Sequence, residues 1–370
     1  MQIGLNESAG RYQNKKAMRI LLACAAVCLI LSLNVDGYFP VLHTPAEVIR
    51  SIFTWFHLTF AQLFHTPAAL HYYDITGEMP YYGGVMQRVR LMAMTFLCGA
   101  LMALSGSIFQ TVFRNPMAAP TMLGVSAGVN AGVLVLVLQF EFAATTMMLY
   151  KYIYCYIGAV VMLALVLIMG KISSGKGRLN IFDMLIVGAI LSQIIGAVMT
   201  YYSYAMENDL ALVYQQVSAA IEMDTSKEAF LFLGGVTVLS LVPMLLLRFS
   251  FNAVGFETDD SRSLGIHAYG MKIVTMILGT MMIAAAMIHC GSAGMISLVA
   301  PFIARGIFGA EFRRQFWGNL LIGGTLLVVC KDIVGMIPFY GSHIPLGTIV
   351  DFVVLPLFVV IIVSQRRIWS

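Results

Sequence analysis

Residues 99–128 read GALMALSGSIFQTVFRNPMAAPTMLGVSAG. An apolar segment dense in small residues runs into Gln110, stops at Arg114-Asn115-Pro116, and restarts after Pro120 as a second small-residue segment. A soluble core does not need Gly and Ala every few residues. Helices in a bilayer do, because lipid is as apolar as protein and association there rests on close backbone packing. The break is polar and charged, so it belongs at a membrane face or along a cavity. Gly106, Gln110, Asn115, Pro116, Gly124 and Gly128 carry this pattern.

Composition extends the inference to the whole chain. Its 370 residues are 59% hydrophobic and 11% charged, with mean hydropathy +0.86. A soluble domain carries about a quarter charged residues. The expectation is an all-α polytopic membrane protein, one transmembrane domain over residues 1–370. No length is left for a soluble catalytic domain, so a transport subunit is expected and not an enzyme. The net charge of +4 does not suggest nucleic acid. Cys24, Cys28, Cys98, Cys155, Cys290 and Cys330 all lie in apolar segments and form no CxxC, so neither disulfides nor a metal site are predicted. Lys15, Lys16 and Arg19 precede the first apolar run. No small-residue cleavage site follows it, so the run reads as a first span.

A span needs about 20 apolar residues. About ten are predicted: 17–36, 89–111, 119–139, 146–170, 182–204, 228–248, 270–289, 291–306, 315–337 and 344–364. The third and eighth, rich in Gly and Ser, are the least regular. Most of the 22 basic residues then fall inside, including Lys15, Lys16, Arg19, Arg114, Lys176, Arg305, Arg313, Arg314, Arg366 and Arg367. Arg50, Arg88, Arg90, Lys151, Lys227 and Lys331 fall outside or within a span. This bias puts both termini in the cytoplasm. Two outer segments are long, 37–88 and 205–227. The first opens a helix at Thr44-Pro45-Ala46-Glu47, a capping box with Pro at the first helical position.

Other patterns lead nowhere. Residues 170–177, GKISSGKG, nearly spell a phosphate-binding loop, but Gly177 replaces the Ser or Thr that would hold magnesium. The segment follows a membrane helix without a nucleotide domain, and reads as a basic loop. The seven histidines form no paired ligand spacing, and the 25 methionines are dispersed.

Lys331, Asp332 and Asp351 lie within predicted spans nine and ten. A central charge costs about 2.5–3.5 kcal/mol on insertion scales, so each faces protein or water. Two readings stay open: Asp351 borders a polar path and pairs with Lys331, or these charges form structural ion pairs. If they are relays, the chain is a proton- or ion-coupled secondary transporter.

Gly99-Ala100 through Ser105-Gly106, Gln110, Arg114-Asn115-Pro116, Pro120, Leu123-Gly124-Val125-Ser126 and Gly128 together resemble the signature of the FecCD permease family. A second block resembles that family at Gly291, Gly294, Leu298-Val299, Pro301, Ile303-Ala304-Arg305 and Gly309. A third follows at Asp332-Ile333-Val334, Pro345-Leu346-Gly347 and Pro356-Leu357-Phe358. The resemblance covers about residues 85–364. It implies a type II ABC importer permease of the bacterial inner membrane, carrying iron–siderophore, haem or vitamin B12. It implies a homodimer with the path at its axis, and two cytoplasmic ATPase subunits that hold magnesium-ATP; this chain binds no cofactor. A periplasmic or lipid-anchored binding protein delivers the chelate. Pro301, Arg305, Gly309, Arg313 and Arg314 become the ATPase-coupling region, about 301–314, and Arg88 with Arg90 the binding-protein dock.

The chain departs from the family pattern at several points. The family's RLPR reads Arg88-Val89-Arg90-Leu91. Ser297 replaces a Gly, Phe302 a His, Met336 an Arg, His343 a Glu, Asp351 a small residue and Val354 a Gly. These changes suggest a shared engine with divergent docking or cargo.

Overall fold

Ten helices follow one another in a computed structural model that describes residues 2–33, 79–140, 144–173, 181–205, 226–247, 250–251, 268–291, 293–309, 311–336 and 346–369. They are α1 (Gln2–Ser32), α2 (Met79–Val112), α3 (Val125–Phe140), α4 (Ala144–Ser173) and α5 (Ile181–Ala205), then α6 (Lys227–Leu246), α7 (Ala268–Cys290), α8 (Ile296–Phe308), α9 (Phe312–Met336) and α10 (Leu346–Trp369). The helix expected at Thr44, most of both outer segments, residues 174–177 and His343 lie outside the described residues.

The fold is all-helical, as composition requires. Among the described residues six helices, α2, α4, α5, α6, α7 and α9, are long and apolar enough to cross a membrane. The expected spans three and eight are shorter than predicted. Gly124 (φ 75°) and Gly291 (φ 64°) adopt left-handed backbone, which unwinds the chain ahead of α3 and α8. A short 3-10 turn, Pro120–Leu123, precedes α3. Thirteen residues in α8 span about 20 Å at 1.5 Å per residue, less than a bilayer core of about 30 Å.

The core is α2, α7, α8 and α9. Cys98–Gln110 of α2 and Met282–Cys290 of α7 are buried without interruption. Glycine sets the separations. A Cβ at Gly99 would overlap the carbonyl oxygen of Gly323, which locks α2 against α9. A Cβ at Gly128 would lie 2.6 Å from the Gly158 carbonyl oxygen, which does the same for α3 and α4. Tyr152 stacks on Phe232 (ring centroids 4.9 Å apart) and tilts onto His289 at 5.3 Å, joining α4, α6 and α7.

The outer helices show why a membrane is needed. Of the apolar window in α7, 78% is buried, against 11% in α5. Ile186, Ile190, Ile194 and Val198 of α5 are all exposed at helical spacing. Such a face is stable only against lipid or another chain.

Candidate functional site

The break quoted first sits where α2 ends. Arg114 takes left-handed backbone at φ 50°, unusual for a residue with a side chain. Asn115 holds the turn: its Oδ1 accepts the Met117 N–H at 2.9 Å, and its carbonyl accepts the Ala118 N–H at 3.0 Å. Pro120 then opens the 3-10 turn, and Gly124 closes it with its N–H on the Thr121 carbonyl.

One turn earlier, α2 meets α8. Pro301 has no N–H, so it leaves the carbonyl of Ser297 without a helical partner. That carbonyl is turned onto Gly106, where a Cβ would overlap it. Gln110 Nε2 donates to the Leu298 carbonyl at 3.0 Å. Ser297 Oγ donates to the Gly294 carbonyl at 2.6 Å. The half-buried Phe302 ring meets Phe358 of α10 edge-on at 5.5 Å.

The α8–α9 turn is tied inward as well. Gly309 closes α8 at φ 83° with its N–H on the Arg305 carbonyl at 2.9 Å. Its own carbonyl accepts Gln315 Nε2 at 2.6 Å. Ser107 Oγ of α2 reaches Gln315 Oε1 at 3.5 Å. Of the expected coupling residues, Pro301 is buried inside α8 and Arg305 is half-buried, while Gly309, Arg313 and Arg314 are exposed. Arg314 Nε pairs with Glu311 Oε2 at 2.6 Å. An open groove of about 710 Å³ runs beside them, lined by Leu245, Glu311, Phe312, Arg313, Arg314, Phe316 and Trp317.

The opposite end of the bundle holds the other candidates. Arg88 is buried, and its Nη1 donates to the Leu33 carbonyl at 3.3 Å. Arg90 is exposed, so of the two expected docking residues it is the one presented outward. Lys331 and Asp332 are both buried, and Lys331 Nζ lies 2.8 Å from Asp332 Oδ1. That oxygen also accepts the Ser32 hydroxyl at 2.9 Å. Of the alternatives left open for Lys331, pairing with Asp351 or a structural ion pair or helix-end snorkelling, the contact found is an ion pair with Asp332. The neighbouring carboxylate takes the ammonium, and Asp351 is half-buried on α10.

Three residues that the sequence did not single out complete these contacts: Ser32, Ser297 and Gln315. Ser297 was marked only as a departure from a glycine. Nothing local distinguishes Ser32, whose partner lies 300 residues on; Gln315 bonds across the α8–α9 turn to Gly309, six residues back, and also reaches the distant Ser107.

Among the described residues, a helical bundle with unwound, glycine-led short helices packed against long apolar ones is the build of a polytopic membrane protein. The family model described as the FecCD transport family matches residues 49–364, and the chain belongs to that family. It is an ABC transporter permease, a multi-pass membrane subunit and not itself an enzyme. The iron-uptake system permease protein FeuB of Bacillus subtilis is 24% identical over 354 residues, covering 94% of this chain and 97% of that one. The hemin transport system permease protein HmuU of Yersinia pestis is 23% identical over 281 residues, covering 76% and 83%. A solved chain described as an inward-facing metal-chelate type ABC transporter superposes with TM-score 0.69 at 19% identity, covering 94% of this chain and 99% of that one. That likeness shows the fold.

Proposed function

We propose that this chain forms the membrane path of an ATP-driven importer for a metal chelate, a ferric siderophore or haem before other cargo. Supporting this is the meeting of two distant sequence blocks: Gly106 and Gln110 of the first lie against Ser297, Leu298 and Pro301 of the second. Named relatives that carry iron or hemin support the cargo class.

In this reading two copies pair, with alternating access at the axis between them and both termini in the cytoplasm. Magnesium-ATP is hydrolysed in two separate ATPase subunits below. The Arg-rich turn of α8 and α9, with Pro301, Arg305 and Gly309 behind it and Arg313 and Arg314 presented, is the coupling surface. Its guanidinium groups suit carboxylate partners. A binding protein docks at the opposite end, with Arg90 among the residues it meets, because charge pairing sets register and speeds encounter. Asp351 borders the path.

An ion-coupled carrier finds little support. Family membership places the chain among ABC permeases, and Asp332 is engaged by Ser32 and Lys331 instead of leading toward Asp351. The test is uptake into liposomes holding the chain with its ATPase partner. ATP-dependent accumulation of a ferric siderophore or haem is expected. Uptake that persists without the ATPase and collapses with a protonophore refutes the proposal.

A further inference from the structure

We propose that Ser32 and Asp332 form a polar clasp that fixes the end of α1 to α9. Arg88 braces it from α2, and Lys331 serves the clasp as counter-charge instead of lining the path.

Helix α1 needs such a fixing. Ala17, Met18 and Leu21 pack against the core while only half-buried, and among the described side chains of α1 only Ala25 and Ser32 are buried; Ile20, Leu22, Val27, Ile30 and Leu31 are all exposed. Lipid is as apolar as these side chains, so the exposed face supplies no drive to hold α1 on the bundle. Ala25 permits close approach but has no directional bond. Ser32 is 2% exposed and Asp332 9%. Each is a polar group that is costly to bury alone, and each satisfies the other at 2.9 Å. The hydroxyl donates and Asp332 Oδ1 accepts. Its charge is met by Lys331 Nζ at 2.8 Å. Lys331 Nζ makes that contact as an ion pair and not as a hydrogen bond, while Asp332 Oδ1 accepts the Ser32 hydroxyl.

The second attachment is one residue on. Leu33 directly follows Ser32, the last residue of α1. Arg88 Nη1 donates to the Leu33 carbonyl at 3.3 Å. A cation at a helix C-terminus also interacts favourably with the helix dipole. Ser32, the last residue of α1, and Leu33 just after it are thus held from two different helices. Those helices, α2 and α9, are themselves locked at Gly99 and Gly323. Asp332 is a positioning residue in this scheme, acting on α1 through Ser32.

The test is hydrogen exchange on the full chain in lipid nanodiscs, which needs neither cargo nor ATPase and so stands or falls apart from the proposed function. Ser32→Ala, Asp332→Asn and the double variant are compared with the unaltered chain. Both changes keep the side chain's approximate shape, and the buried run Cys98–Gln110 of α2 reports whether the bundle remains folded. Exchange in the last turns of α1 should rise about tenfold in Ser32→Ala, the scale of losing a hydrogen bond to a charged group, and measurably but less in Asp332→Asn, whose amide oxygen still accepts without the charge, while the α2 run stays protected. The double variant should exchange no faster than the faster single one, because Asp332→Asn only weakens, by removing the charge, the bond whose donor Ser32→Ala removes outright. Unchanged exchange at the end of α1 in the singles overturns the clasp. So does a double variant whose effect equals the sum of the two.

Discussion

Gly106→Ala is the sharpest test of how α2 and α8 are held. An added Cβ would overlap the Ser297 carbonyl oxygen, and would stand 2.6 Å from its carbon and 3.1 Å from Pro301 Cγ. Carbon atoms in ordinary contact are about 3.5–4.0 Å apart, so the two helices must part locally by about 1 Å. No rotamer change relieves this, because the obstacle is backbone, and the rigid ring of Pro301 closes the adjacent space. Overpacking of this kind costs about 1–3 kcal/mol, and a backbone obstacle puts the cost at the upper end. Alanine's better helix propensity returns up to about 1 kcal/mol. The expected net loss is about 2 kcal/mol. Gly196→Ala on α5 is the control, since nothing lies within 4 Å of that position; only the propensity gain applies there. Both variants are unfolded in mixed micelles with increasing SDS, followed by helical circular dichroism. If Gly106→Ala is as stable as the unaltered chain, or tracks Gly196→Ala, glycine at the α2–α8 contact is not what permits the packing.

Further expectations follow from the same contacts. Gly99→Ala and Gly323→Ala should each destabilise the α2–α9 pair, but together by at least about 0.5 kcal/mol less than their sum, since the first already separates the helices; the same SDS titration reads this. Gln110→Leu removes the bond to the Leu298 carbonyl and should cost about 1 kcal/mol, within the range of interhelical bonds in membranes. Arg313→Glu with Arg314→Glu should leave ATP hydrolysis running while chelate uptake falls, measured side by side in proteoliposomes; normal coupling refutes the placement of the coupling surface. Asp351→Ala should change uptake rate or chelate preference, and an unchanged profile makes Asp351 structural.

Legibility followed the range of the interactions. The density of Gly and Ala around Gly106 is a local fact, and it announced close helix packing before any partner was known. The turn at Arg114-Asn115-Pro116 was equally readable, because its bonds are made within three residues. The eighth span was drawn too long for a local reason as well. Residues 291–295 are apolar enough to count toward a membrane helix, but Gly291 adopts left-handed backbone and the helix begins only at Ile296. What the sequence withheld is pairing. Gln110 and the Leu298 carbonyl lie 188 residues apart, and Ser32 and Asp332 lie 300 apart. Insertion cost correctly demanded that Lys331 and Asp332 be buried. That cost is the same whether a charge faces a path or a neighbouring hydroxyl, so it could not choose between them.

The departures from the family pattern now divide by where they point. Ser297 and Phe302 stand in the half proposed for coupling, yet both are turned inward: the Ser297 hydroxyl is spent on the Gly294 carbonyl, and the Phe302 ring on Phe358. Substitutions absorbed in this way repack the bundle and leave the exposed turn around Gly309, Arg313 and Arg314 untouched. At the opposite end Arg90 and Met336 are exposed, where a change of side chain alters what a partner meets. Exchange of Met336 for the family's arginine should therefore shift affinity for a binding protein while ATP hydrolysis by the assembled complex keeps its basal rate. Exchange of Phe302 for histidine should do the reverse in kind, loosening the contact with α10 without moving binding-protein affinity. A result in which Phe302→His alters docking and Met336→Arg does not would invert this division and place the divergent surface at the coupling end.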